Sequence, residues 1–392
     1  MTLPLNPDIA ATDAPAVMEA QRWLAKARIT PDNPLINISQ AAPVDPPPLA
    51  LREFMAETVL NDPGAHLYGP DLGLPALRAA FADQTAAHYG ATIAAGQVAI
   101  TAGCNQAFTA AIATLARAGD EVILPTPWYF NHKMWLDISG VRAVPLPTGD
   151  ELLPDPDRAA ALITDRTRAL VLVTPNNPAG VEYPADLVHA MYELAKAKGI
   201  ALIVDETYRD FDARPGPPHD LFADPDWPGT LIHLYSFSKA YRLTGHRVGA
   251  MVADTARLAQ VEKYIDSVTI CPNQLGQRAA LWGLQNLAQW VAGERAEILD
   301  RRDAITDMFH RLDGWTLKGC GAYFAYVEHP YPMPSDQLAQ TLVRDHAILL
   351  LPATMFTPHD DPSGARHLRI AFANIDRAGI SRLQERLQNL NL

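Results

Sequence analysis

Five short segments carry residues able to do chemistry, and each follows an apolar run of strand length. Ligands of open α/β sheets bind at the carboxyl ends of strands, so those are the residues to read. Ser236-Phe-Ser-Lys239 sets a lysine after the run Leu231–Leu234, flanked by hydroxyls. Partial burial lowers a lysine's pKa and frees a neutral amine for Schiff-base chemistry. Arg247, eight residues on, and Ser236 would complete a phosphate site. Ile203-Val-Asp205-Glu-Thr-Tyr208 stops an apolar run at a carboxylate, which at that depth needs a cation or donors. Thr174-Pro-Asn-Asn177-Pro-Ala-Gly180 locks two amides between prolines, so an asparagine is aimed with little entropy left to lose. Pro125-Thr-Pro-Trp-Tyr129-Phe-Asn131 offers three consecutive aromatics on which a flat ligand could stack. Thr101-Ala-Gly103-Cys104-Asn105 joins a strand to a helix, whose free N–H groups and dipole suit a phosphate.

Each segment alone also reads as ordinary structure: a tight turn at Gly103, core packing of the aromatics, an Asn-Pro turn, a helix N-cap at Asp205, a solvated Lys239 and a salt-bridging Arg247. Jointly they fit one ligand, with a phosphate, a flat ring, a ring nitrogen needing a carboxylate, a ring hydroxyl and an aldehyde needing a lysine. That ligand is pyridoxal 5′-phosphate. No Gly-x-x-x-x-Gly-Lys-Ser/Thr and no Gly-x-Gly-x-x-Gly occurs, so neither a nucleoside triphosphate nor a dinucleotide is indicated.

The elements that must position these segments alternate. The pattern predicts a helix over Ala14–Arg28 capped by Asp13, then a proline-rich extended stretch, Ile36–Leu49. Helices Pro75–His88, Asn105–Arg117 and Pro184–Lys198 alternate with strands Gln97–Thr101, Glu121–Leu124, Ala143–Leu146, Ala169–Val173, Ile200–Val204, Leu231–Leu234 and Val248–Val252. This is an α/β pattern, a mostly parallel sheet covered by helices. Long helices follow over Ala256–Ser267 and Gly276–Leu312, the second broken near Gly293. Strands near Ala322–Val327 and Leu368–Ala373, with helices near Ser335–Asp345 and Asp376–Gln388, make a smaller α+β unit. The expected division is a large cofactor-binding domain over 46–292 and a small domain over 293–392. The N-terminal arm, 1–45, joins the small domain and makes it discontinuous.

The chain has 392 residues, too many for one core, and its 44 acidic against 32 basic residues give a formal charge of −12. That balance repels nucleic acid and anionic membrane surfaces. No apolar run approaches the roughly 20 residues that span a bilayer. The opening Met1-Thr-Leu-Pro-Leu-Asn-Pro-Asp has neither the basic nor the apolar region of a secretion signal, so the expected location is the cytoplasm. Cys104, Cys271 and Cys320 are odd in number and widely spaced, which supports neither disulfides nor a metal site.

From Ala14–Arg28 to Arg369-Ile-Ala-Phe-Ala373, and in order, the sequence resembles the class I/II aminotransferases of the aspartate aminotransferase superfamily, the fold-type I pyridoxal-phosphate enzymes. The resemblance implies that Lys239 is the Schiff-base lysine, Asp205 the partner of the pyridine nitrogen, and Tyr208 with Asn177 the donors to the ring oxygen. It implies Tyr129 as the stacking aromatic, Gly103, Cys104, Asn105, Ser236 and Arg247 as the phosphate shell, and Arg369 with Asn177 as substrate-carboxylate binders. Tyr68 resembles the tyrosine that reaches the neighbouring subunit's phosphate, which implies a homodimer with shared sites. Two departures bear on substrate. Ala41 stands where the family usually has glycine, and its methyl would narrow the pocket. Arg242 stands where small or apolar residues are usual and is read as solvent-facing.

The resemblance implies ping-pong transfer of an amino group between an L-amino acid and a 2-oxo acid. A β-eliminating carbon–sulfur lyase would use the same cofactor residues and is the alternative. A cofactor-binding gene regulator would need a DNA-binding region for which the two domains leave no room. Trp128–Phe130, Ala41 and the segment Ala322–Tyr326 offer apolar surface and no second cation, so the expected donor is neutral or aromatic. Arg242 or an arginine of a partner subunit is the way a second cation could enter.

Overall fold

The computed structural model describes residues 3–390. Seven strands form the central sheet, in the spatial order Val98–Thr101, Gly249–Val252, Leu231–Ser236, Ala201–Asp205, Thr167–Val173, Glu121–Thr126 and Arg142–Pro147. Only Gly249–Val252 runs against the rest. Alternation along each strand divides the core in two. Leu170, Leu172, Leu202 and Val204 pack with helices Pro75–Tyr89 and Ala185–Lys198, while Ala169, Val171, Ala201 and Ile203 pack with Cys104–Leu115 and Thr255–Thr269. Both faces are covered, which is why the strands read as unbroken apolar runs rather than alternating ones.

The smaller part holds an antiparallel sheet in the order Leu351–Pro352, His367–Ile370, Phe324–Glu328, Thr316–Gly321, with helices Ser335–His346 and Arg377–Gln388. The N-terminal segment joins it. Ile36–Asn37 pairs in parallel with Ile348–Leu349, and Ala16 and Ala20 pack with Val343, Leu351 and Phe356. Residues 16–37 thus pair and pack with elements of the C-terminal part of the chain.

Several elements differ from expectation. The first long helix is Ala16–Trp23, entered from Pro15 without a side-chain cap, so Asp13 does not cap it. Leu49–Asn61, Phe130–Ile138 and Pro156–Leu162 are helices, and Thr316–Gly321 is a strand, none of them anticipated. The long C-terminal helical stretch breaks at Leu287, between Gln274–Asn286 and Ala288–Phe309, and Gly293 lies inside the second helix. Among the described residues no helix is long and apolar enough to cross a membrane.

The two sheets meet at main chain. Gly180, at φ +75°, lies so close to the small sheet that a Cβ there would fall 2.5 Å from the Phe324 carbonyl oxygen and 2.6 Å from Gly321 N. Gly321 faces the Gly180 carbonyl in return. Glycine at both positions is what lets the Thr174–Gly180 loop touch the small sheet directly.

Candidate active site

The carboxyl ends of the central strands and the N-terminal segment enclose a cavity of about 390 Å³, in the size range of small-molecule sites. Cys104, Asn105, Tyr129, Asn177, Asp205, Tyr208, Ser236, Lys239 and Arg247 all line it, as expected. Gln40, Ala42, Asn131, Thr207, Ser238 and Thr244 line it as well and were not anticipated.

Asp205 is the last residue of its strand and is 3% exposed. No α-helix follows it directly, only a single turn over Arg209–Phe211, so the N-cap reading fails. Its Oδ1 accepts from Thr207 N at 3.0 Å, and its Oδ2 lies 3.2 Å from His132 Nε2. The histidine contact falls outside hydrogen-bond geometry. Burial pushes the Asp205 carboxyl up, but His132 and Thr207 together outweigh it and hold the group below the usual carboxylate range. The His132 ring is fixed by stacking on Phe108 at 3.8 Å and by an edge contact to Tyr129 at 5.0 Å.

Lys239 Nζ donates to the Ala41 carbonyl oxygen at 2.6 Å and stands 5.7 Å from the Tyr208 ring centroid. Burial first, then the charges of Arg247 and Arg369, lower its pKa to about 8, against the pull of Asp205. About a tenth of the amine is therefore neutral at pH 7, far more than for an ordinary lysine. The Tyr208 ring is buried against Tyr323 and Phe324, at 5.4 and 5.2 Å, and burial raises its hydroxyl's pKa.

At the opposite corner the helix Cys104–Leu115 begins, and its first N–H groups have no intrahelical acceptors. Gly103, at φ +83°, precedes it, and a Cβ there would fall 2.9 Å from Arg247 Cζ. Glycine thus lets the guanidinium close over the helix start. Arg247 Nη1 donates to the Thr244 carbonyl oxygen at 3.0 Å, and Ser236 Oγ accepts from Ser238 N at 3.2 Å. Helix dipole, guanidinium and two hydroxyls make an anion corner.

Arg369 is 2% exposed and lies behind Asn177 rather than on the cavity wall. Its Nη1 donates to Asn177 Oδ1 at 3.1 Å, its Nη2 to the Ser39 carbonyl oxygen, and its Nε has no partner. The guanidinium lies over the rings of Phe324 and Phe356, at 5.1 and 4.8 Å from their centroids. Burial lowers its pKa to about 10, which leaves it charged at neutral pH.

Other expectations fall elsewhere. Ala41 meets the site through its carbonyl oxygen on Lys239, while the cavity wall is formed by its neighbours Gln40 and Ala42. Residues 322–326 back the cavity through Tyr323 and Phe324 instead of lining it. Arg242 does not face solvent: it binds Glu294 through Nε and Nη2 at 2.8 and 2.9 Å, over the Trp290 ring. Tyr68 is 80% exposed and outside the cavity of this chain. His132 and Thr207 were missed, although His132 sits three residues after Tyr129, within one turn of the helix Phe130–Ile138.

The residues fit pyridoxal phosphate: an anion corner kept open by Gly103, an ionised buried carboxylate, an aromatic ring and a partly neutral amine share one cavity. The sequence pattern described as aminotransferase class I and II matches residues 33–387. The chain belongs to that family. It is an aminotransferase, and pyridoxal phosphate is its cofactor. It is similar to an aromatic aminotransferase of Arabidopsis thaliana, 28% identical over 97% of this chain and 95% of the relative. An arginine–pyruvate transaminase of Pseudomonas aeruginosa is 29% identical over 89% of this chain and 88% of its own. A solved Escherichia coli structure, described as having a methionine aminotransferase function, superposes with a TM-score of 0.89 at 26% identity, over 99% of this chain and 100% of that one. None of these relatives favours the lyase reading.

Proposed function

We propose that this aminotransferase takes its amino group from a neutral L-amino acid, aromatic ones included, and passes it to a 2-oxo acid in a ping-pong cycle. The observation that carries the reading is the convergence of Lys239, Asp205 and the Gly103–Arg247 corner on one cavity. Bound pyridoxal phosphate supplies an electron sink for the charge left at Cα when its proton is removed. Asp205, ionised and buried, would hold a positive ring nitrogen, and Tyr208 with Asn177 would donate to the ring oxygen. Tyr129 would stack on the ring. Cys104, Asn105, Ser236 and Arg247 would hold the phosphate. Lys239 Nζ, lowered to about 8, takes the proton from the substrate's Cα as a general base and returns it as an acid. Arg369, with a free Nε, would bind the α-carboxylate and orient the Cα–H bond.

The neutral donor is supported by where the cations are. Lys239 and Arg247 line the cavity, Arg369 stands behind it, and all three have roles above. Arg242 is neutralised by Glu294, so among the described residues no further lysine or arginine lines the cavity to meet an acidic side chain. Relatives named for aromatic amino acids and methionine agree, whereas those named for arginine and for aspartate point elsewhere. Comparison of kcat/KM for phenylalanine, tyrosine, tryptophan, methionine, arginine and aspartate tests the reading. Preference for one of the first four is expected, and preference for aspartate or arginine overturns it.

Exposed Tyr68, beside exposed Leu67 and near exposed Leu60, supports a homodimer in which this edge meets a second copy and Tyr68 completes the partner's phosphate corner. A cytoplasmic location belongs to the same reading.

A further inference from the structure

Glu206 follows Asp205 and points away from the cavity. Its side chain is fully buried, as are those of His219 and His233. Its Oε2 accepts from Tyr89 Oη and lies 2.7 Å from His233 Nε2. Its Oε1 faces His219 Nε2 at 3.4 Å, and neither of those atoms is hydrogen-bonded. Burial pushes the carboxyl up, but the two histidines hold it well below its ordinary range, so it is ionised. An ionic network at this depth adds little net stability over apolar packing of the same volume. Stability therefore does not explain it.

Strand register does. Val204 pairs with His233 and Asp205 with Leu234. The Glu206–His233 contact thus crosses from the strand that delivers Asp205 and Tyr208 to the strand that delivers Ser236 and Lys239. A second tie on the rear joins the same two segments: Tyr235 Oη donates to Asp210 Oδ2 at 2.7 Å, with the Arg209 guanidinium 4.4 Å from the Tyr235 ring centroid. On the cavity side no hydrogen bond links Asp205 to Lys239 among the described residues.

We propose that Glu206 is a positioning residue, which through His233 fixes Asp205 relative to Lys239 and places a buried negative charge behind the site. The inference rests on the assignment of Lys239 as the cofactor-bearing lysine. Its test is the pH midpoint of the bound cofactor's visible absorption, read on holoenzyme together with the melting temperature. Glu206→Gln keeps the shape and removes the charge, so the protonated form at the Lys239 nitrogen loses an attractive neighbour. The midpoint falls, by about a few tenths of a pH unit, the direction set by removing one negative charge from behind the site. A lowered melting temperature with the midpoint unmoved makes Glu206 merely structural and overturns the proposal. If Glu206→Gln does not fold, Tyr89→Phe serves: it strips a donor from the carboxylate and should raise the midpoint, and an unmoved midpoint again overturns the proposal. Loss of any pH-dependent band from wild-type holoenzyme, or its survival in Lys239→Ala, would instead bring down the assignment of Lys239.

Discussion

Lys239 Nζ bonds the carbonyl oxygen of Ala41 at 2.6 Å, across nearly two hundred residues of sequence. The same backbone stretch offers the Ser39 carbonyl to Arg369. Two of the three cations of the proposed chemistry therefore rest on one uncharged strip of main chain. An amide carbonyl accepts from an amine in either protonation state, so it orients Lys239 without locking a proton onto it.

Lys239→Ala should retain affinity for pyridoxal phosphate through the anion corner and lose covalent attachment. Borohydride reduction followed by mass spectrometry reads this directly. A reduced adduct still present on the variant protein would refute the assignment.

Asp205→Asn should fold, because Thr207 N can still find an oxygen, yet lose the charge facing the ring nitrogen. A loss of about 10²–10³ in the rate of Cα proton removal is expected, the scale of one preorganised electrostatic partner. Single-turnover kinetics with the best donor measures it, and a rate near wild type would reduce Asp205 to a structural role.

The stability of the apoprotein should depend on Lys239 with a definite sign. The group titrates at about 8 in the fold against an ordinary 10.5, so between those values the unfolded chain binds more protons. Stability contributed through this group accordingly rises with pH across that window. Urea unfolding of apoprotein should show wild type gaining on Lys239→Met between about pH 8 and about pH 10. Parallel stability curves would contradict the burial of the amine.

Tyr68 yields a prediction about assembly. Sedimentation over a dilution series should show a dimer whose dissociation coincides with loss of cofactor affinity, and Tyr68→Phe should weaken that affinity without dissociating the dimer. A fully active monomer would dispose of the shared site.

Much of the site was legible because its residues close apolar runs, and a run of Val, Ile and Leu that halts at Asp205 or just before Lys239 marks a strand end by itself. What was not legible depends on contacts distant in sequence. His132 gains its meaning from Asp205, and Arg242 from Glu294, and neither pairing leaves a trace in local spacing. Leu49–Asn61 escaped notice because prolines precede it and only Leu51, Met55 and Thr58 are buried, too thin a stripe for a periodic signal. Glycine weakens helices and so predicts a break at Gly293, yet that residue lies in open space inside Ala288–Phe309 and the break falls at Leu287.

The contact of Gly180 with Gly321 has a consequence for recombination among relatives. A chimera that draws its C-terminal sheet from another aminotransferase imports whatever residue stands opposite Gly180, and even a methyl there would drive the loop away. Asn177, in the same loop, would carry that displacement to Arg369, to which it is hydrogen-bonded. Such hybrids would hold their cofactor and misalign the incoming carboxylate, so a shuffled library selected by colour alone would be full of yellow, idle proteins.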